Sequence, residues 1–225
     1  MRRVLLLLAL AMGLGDSAAA QTAQPQRSRL TLAAGLLTSG SYRIGDVTAQ
    51  ARRSAPGQES LTPVLRAESQ IGRAVGLDAR AGFALSRDFA VEVGGSYMAP
   101  QLQVTISQDA EVAGATAQER LARYGLEVSG VYHLAAGRSA SRARPFIVGG
   151  VGQFWELRED RVTRETGRTI HAGGGIDYFI RNGARGRPFG VRGEARVVHR
   201  TGGIEFQDSG RNYPTVSVLA FFGLP

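Results

Sequence analysis

Leu77-Asp78-Ala79-Arg80-Ala81-Gly82-Phe83-Ala84-Leu85, then the polar step Ser86-Arg87-Asp88, then Phe89-Ala90-Val91-Glu92-Val93-Gly94-Gly95-Ser96-Tyr97: this run decides the fold. In its first part the odd positions are apolar and the even positions charged or small. In its second part Phe89, Val91, Val93, Gly95 and Tyr97 share one face, and Ala90, Glu92, Gly94 and Ser96 share the other. Side chains of a strand point alternately to opposite faces, so each half reads as a strand with one apolar and one polar face. The step between them makes the pair a hairpin. A tight turn there sets Phe83 opposite Val91 and leaves Arg80 and Glu92 as diagonal neighbours on the polar face.

The same period recurs along the chain. Tyr124, Leu126, Val128, Tyr132 and Leu134 alternate with Arg123, Gly125, Glu127, Ser129 and His133. Ile170, Ala172, Ile176, Tyr178 and Ile180 alternate with His171, Gly173, Gly175 and Asp177, and Phe189, Val191, Ala195 and Val197 with Gly190, Arg192, Glu194 and Arg196. Weaker segments at 29–42, 145–155 and 213–223 bring the expectation to about eight strands, each near the ten residues of a tilted strand crossing a bilayer. Short turns at 86–88, 136–144 and 182–187 alternate with longer connections at 44–72, 99–117, 159–168 and 202–212. All short turns therefore fall at one end, as in an all-β, antiparallel up-and-down barrel with short periplasmic turns and long extracellular loops. Residues 117–123, with Gln118-Glu119-Arg120-Leu121, could form one short helical stretch within a loop.

The N-terminus reads as a removable export signal over residues 1–20: Met1-Arg2-Arg3, an apolar run from Val4 to Leu14, and Ala18-Ala19-Ala20 before Gln21. Residues 21–28 form a short polar segment, and 29–225 the barrel domain. No later apolar run reaches the ~18 residues of a spanning helix. The chain has no Cys, so neither disulfides nor thiol chemistry are expected. Its net charge of +8 comes from arginine alone, since all 27 basic residues are Arg. These arginines are scattered, and export argues further against nucleic acid as a partner.

A soluble calyx and a membrane barrel both alternate, but the calyx buries its apolar face whereas the membrane barrel turns it outward. The charged face separates them. Asp78, Arg80, Glu92, Arg123, Glu127, Asp177, Arg192, Glu194 and Arg196 all lie opposite the apolar face, interspersed with Gly, Ala and Ser, and the two signs nearly balance. They are expected to form an ion network closing a narrow lumen. A tight turn at 182–187 would set Asp177 opposite Arg192, Gly175 opposite Glu194 and Gly173 opposite Arg196. Two aromatic girdles are expected on the apolar face. Phe83, Phe89, Tyr132, Phe146, Tyr178, Phe189 and Phe222 lie near the short-turn end, and Tyr42, Tyr97, Tyr124 and Phe154 toward the long-loop end.

On these residues the chain from Arg29 to Pro225 resembles the small OmpA-like and OmpX-type eight-stranded outer-membrane barrels. The resemblance rests on the signal sequence, the alternating strands, the one-sided short turns and the final strand Thr215 to Gly223. It implies a Gram-negative cell envelope, outer-membrane lipid and lipopolysaccharide as surroundings, and assembly by the barrel-assembly machinery. The aromatic end signal is here displaced inward to Phe222, ahead of Gly223-Leu224-Pro225. The peptidoglycan-anchoring role of longer members does not carry over, because no room follows the barrel.

Chemistry is sparse. His133, His171 and His199 have no metal-ligand spacing: His171, facing the lumen, and His199, facing outward, read as residues of the long-loop rim and His133 falls at the opposite end, so no metal, cofactor or catalytic residue is assigned. Some barrels of the resembled kind are lipid A deacylases using His, Ser and an acid. His199-Arg200-Thr201 echoes them loosely, with Thr in place of Ser and Glu205 or Asp208 as the orienting acid. The expectation is a non-enzymatic, monomeric protein with a structural or surface-interaction role, binding an extracellular ligand through its loops. The alternatives are a porin-like narrow pore for very small solutes, a lipid A-modifying enzyme and a soluble calyx.

Overall fold

The computed structural model describes residues 29–55, 58–107, 115–134, 142–158, 164–182, 188–204 and 210–224. The export signal and the polar segment at 21–28 lie outside them. All regular structure among the described residues is strand: β1 (Leu30–Ser39), β2 (Tyr42–Ala55), β3 (Gln58–Ile71), β4 (Ala74–Ala84), β5 (Phe89–Met98), β6 (Gln101–Ser107), β7 (Ala115–Arg120), β8 (Ala122–His133), β9 (Ala143–Leu157), β10 (Arg164–Asn182), β11 (Pro188–Gly202) and β12 (Arg211–Leu224). Eight of them close an antiparallel barrel in the order β1-β12-β11-β10-β9-β8-β5-β4. The remaining four form a second sheet, β2-β3-β6-β7.

This second sheet corrects the expectation of loops at 44–72 and 99–117. The barrel wall continues upward: β1, β4, β5 and β8 run on, past breaks at Gly40-Ser41, Gly72-Arg73, Ala99-Pro100 and Leu121, into β2, β3, β6 and β7 in the same lateral order. The breaks line up across the register, with Gly72 N–H on the Gln101 carbonyl and Leu121 N–H on the Pro100 carbonyl. Past them the sheet forms a hood, because Tyr42, Ile44, Ile71, Leu102 and Leu121 are buried against Val198, Ile204 and Tyr213. The segments are too polar to read as strands by apolar alternation, since backbone pairing asks nothing of the exposed face. The helical reading of 117–123 is corrected for the same reason: Gln118 and Glu119 pair with Gln103 and Leu102 in β7.

Register in the barrel follows the hairpin arithmetic. Phe83 lies opposite Val91, Asp177 opposite Arg192, Gly175 opposite Glu194 and Gly173 opposite Arg196. One irregularity between Phe179 and Arg181 shifts the pairing near the turn. The third long connection is shorter than 159–168, since β9 and β10 stay paired up to Leu157 and Arg164. Outward positions carry Leu77, Val93, Leu126, Val128, Val151, Ile170, Ile176, Val197 and Val218, all about half exposed. An exposed apolar belt of this extent marks a surface that does not face water.

Candidate functional site: the barrel interior and its hood

Inward positions hold side chains in layers. At the short-turn end an apolar floor is built from Val131, Phe146 and Val148 on one side and Ala33, Leu219 and Phe221 on the other. Phe179 packs edge-on against Phe221, with centroids 5.3 Å apart. Phe146 is therefore corrected from girdle to floor: it is 2% exposed, and the Arg192 guanidinium lies 4.7 Å from its ring centre. The strand holding it is apolar on both faces there, Phe146 and Val148 inside and Ile147 outside, so residue type could not assign the face. Phe83, Phe89, Tyr97, Tyr124, Tyr132, Tyr178, Phe189 and Phe222 point outward and are exposed. Tyr42 and Phe154 point inward instead.

Above the floor lie three ionic tiers. In the lowest, Arg192 Nε donates to Asp177 Oδ1 at 2.7 Å and Nη1 to Glu92 Oε1 at 2.6 Å, while His133 Nε2 lies 3.1 Å from Asp177 Oδ2. In the middle tier Arg80 reaches Asp78 at 2.5 Å and Glu194 at 2.9 Å. Arg196 pairs with Glu194 and, at 2.6 Å, with Glu127. His171 Nε2 sits 3.0 Å from Ser129 Oγ and 3.2 Å from Arg196 Nη1. In the highest tier Arg123 Nε donates to Glu156 Oε1 at 2.8 Å, and Arg200 Nη1 and Nη2 donate to its two oxygens at 2.9 and 3.1 Å. The Tyr42 hydroxyl accepts from both guanidiniums, and the Ile204 N–H donates to Glu156 Oε2 at 3.0 Å. Phe154 lies beneath the pair, 4.4 Å from the Arg200 guanidinium carbon.

The structure brings all nine charged residues predicted for the interior inside the barrel, and adds Glu156, Arg200, His133 and His171. His133 and His171 lie on the inward faces that alternation gives them, and His171 stands in the middle tier rather than at the long-loop rim. Glu156 and Arg200 lie just past the segments at 145–155 and 189–197; extending the parity of Arg192, Glu194 and Arg196 finds Arg200, whereas Glu156 shares the parity of Phe146 and Phe154 and is misplaced outward with them. Tyr42 is hidden by the break at Gly40-Ser41, which shifts the inward face from odd to even positions. Five arginines meet six carboxylates, and the surplus positive charge sits in the highest tier, the surplus negative charge below it. Between the middle and highest tiers remains a cavity of about 60 Å³, lined by Met98, Tyr213 and charged groups of both tiers.

The interior is crowded enough to require glycine. A Cβ on Gly175 would collide with the Gly193 carbonyl oxygen and lie 2.6 Å from the Phe146 ring. Gly203 has φ +87°, and a Cβ there would press on the Arg200 guanidinium and stand 2.7 Å from Glu156. His199, the histidine of the loose enzyme echo, faces outward. Its Nδ1 is 2.7 Å from the Asn212 amide oxygen, and its Nε2 side packs against Gly210. Its neighbour is thus an amide, and Glu205 and Asp208 lie outside the described residues.

No protein-family model matches the chain, and no curated protein matches it in sequence. Solved structures do match in shape. The crystal structure of the outer membrane protein OprG from Pseudomonas aeruginosa aligns with a TM-score of 0.52 at 10% identity, covering 88% of this chain and 95% of that one. The solid-state NMR structure of the outer membrane protein AlkL in lipid bilayers aligns with a TM-score of 0.40 at 14% identity, covering 94% of this chain and 97% of that one. The closed eight-stranded wall, the outward apolar belt and the likeness to OprG agree: the chain has the fold of the eight-stranded outer-membrane β-barrels.

Proposed function

We propose that the protein is an integral protein of the bacterial outer membrane, exported by the signal at residues 1–20, in which a plugged barrel anchors the hood as a binding element at the cell surface. The hood carries this reading. Among the described residues β2 and β7 each have one strand partner, so the sheet offers two backbone edges on which an extended segment of an extracellular partner can add as a further strand. The plug is supported by the apolar floor, the three ionic tiers and the hood residues over the mouth, which together leave about 60 Å³ between the upper tiers. Side chains normally fill an eight-stranded lumen in this way.

Fractionation should leave the protein in the outer membrane, and the folded form should migrate differently from the boiled one. Protease added to intact cells should cut within 40–73 or 99–121, and cutting only after the outer membrane is broken refutes the orientation. Planar bilayers should show no steady conductance, and conductance altered by Arg80→Ala would instead support a narrow pore. Cells carrying the chain with both hood hairpins trimmed should adhere less to protein-coated surfaces than cells with the intact chain; equal adhesion refutes the surface role.

A further inference from the structure

Arginines are scattered along this chain, but their excess over acids is not. At the hood end, in segments 43–73, 101–121, 157–170 and 201–212, arginines and acids are equal in number. In the interior, carboxylates slightly outnumber arginines. The short-turn end differs. Arg29 precedes β1, the β4–β5 turn carries Arg87, and the β8–β9 connection carries Arg138 and Arg142, with Arg144 just inside β9. Arg185 and Arg187 follow β10. Across segments 27–29, 85–88, 134–144 and 180–188 the only acid is Asp88. Outside residues 1–20, the whole net positive charge of the chain therefore sits at the short-turn end.

Asp88 is already engaged. Arg144 Nη2 lies 3.2 Å from its Oδ1 and also donates to the Arg87 carbonyl, which ties the β4–β5 turn to the start of β9. Arg29, Arg87 and Arg142 are exposed, and each stands within two residues of the level of an exposed apolar or aromatic side chain. Arg29 adjoins Leu30, Arg87 lies between Leu85 and Phe89, and Arg142 is one step past Ala143, which pairs with Tyr178. Two residues of strand span about 7 Å, and the headgroup zone beside the hydrocarbon is about 5–7 Å deep. These guanidiniums therefore stand at headgroup depth. An arginine fork matches a phosphate bidentately, and basic residues next to an anionic membrane act within a Debye length of its surface.

We propose that the short-turn end is a dock for anionic glycerophospholipids of the periplasmic leaflet, with Arg29, Arg87 and Arg142 taking their phosphodiester groups. Depth decides for lipid over a soluble polyanion, because short turns carry these arginines no farther from the belt than the phosphates. The charge division also suits insertion: the balanced hood end is the one that must cross the bilayer, and the uncompensated charge stays on the side of entry. The proposal rests on the outer-membrane location and orientation proposed above.

The test uses the refolded full chain in neutral detergent micelles doped equally with phosphatidylglycerol and phosphatidylcholine, with bound lipid counted by native mass spectrometry. At about fivefold per arginine near an anionic surface, phosphatidylglycerol should be preferred at least about tenfold. The triple variant Arg29→Gln, Arg87→Gln, Arg142→Gln should bring the two lipids to near-equal binding. A second triple, Arg73→Gln, Arg164→Gln, Arg168→Gln, removes the same charge from exposed positions at the hood end and should keep the preference. Equal binding of the two lipids to the wild type, an equal loss in both triples, or displacement of phosphatidylglycerol by soluble polyglutamate at matched charge would overturn the proposal. Each variant must keep the heat-dependent gel shift. If that shift is present and the lipid preference absent, the dock fails while the barrel stands; if the wild type shows no shift, the outer-membrane reading itself fails.

Discussion

Replacing Glu156 with glutamine tests whether the ionic tiers hold the structure together. Glu156 is 0% exposed and is the sole carboxylate of its tier, bonded to Arg123, Arg200 and the Ile204 N–H. The amide keeps the volume but removes the charge, and turns one oxygen into a donor aimed at other donors. Two buried guanidiniums then lose their counter-ion, a change of the kind that costs about 3–5 kcal/mol when one partner of a buried pair is removed. With a urea slope of about 2 kcal/mol/M, the unfolding midpoint should fall by about 2 M. The assay is urea unfolding in phospholipid vesicles, followed by the heat-dependent gel shift and by fluorescence of the single tryptophan, Trp155, adjacent in sequence. Glu68→Gln is the internal reference, since its pair with Arg66 at 3.1 Å is close to half exposed on both sides and is worth at most about 1 kcal/mol. A shift for Glu156→Gln no larger than that for Glu68→Gln would refute the reasoning.

Gly203→Ala should destabilise by about 1–3 kcal/mol in the same assay, because its positive φ and its contact with Arg200 both oppose a Cβ. Gly193→Ala, outward with nothing within 4 Å of a Cβ, should be neutral or stabilising by up to about 1 kcal/mol, whereas Gly175→Ala should prevent the heat shift. Phe146→Ala should cost about 3–5 kcal/mol, since it removes the centre of the floor and the ring under Arg192. If Phe146→Ala is no worse than Phe89→Ala on the exposed face, the floor is not the packed layer described.

Much of the barrel is legible because chemistry and parity agree wherever one face is charged. Asp78 and Arg80 on β4, and Arg192, Glu194 and Arg196 on β11, name the inward face by themselves, and a tight turn then fixes the register. Legibility fails in three physical situations. Where both faces are apolar, as around Phe146, alternation has a period but no sign. Where the chain breaks and restarts, as at Gly40-Ser41, parity does not carry across, and Tyr42 reads as lipid-facing although its hydroxyl completes the highest ionic tier. Where a sheet stands free of the belt, as in β2 and β3, apolar periodicity fades although the backbone ladder persists. The pairing of β3 with β6 joins segments distant in sequence, which no local pattern encodes.

The continuity of wall and hood bears on what this chain could be made to display. A peptide inserted at positions 56–57 would not hang from a slack tether: it would top a paired stalk of 14-residue strands, about 46 Å of ladder, laterally braced by β6. Insertions nearer the breaks face a parity constraint, since one added residue between Gly72 and the tip of β3 would turn the position of Ile71 outward and uncover the mouth. Cargo length is thus free at the tip and restricted to even steps at the base, a rule a display experiment could use directly.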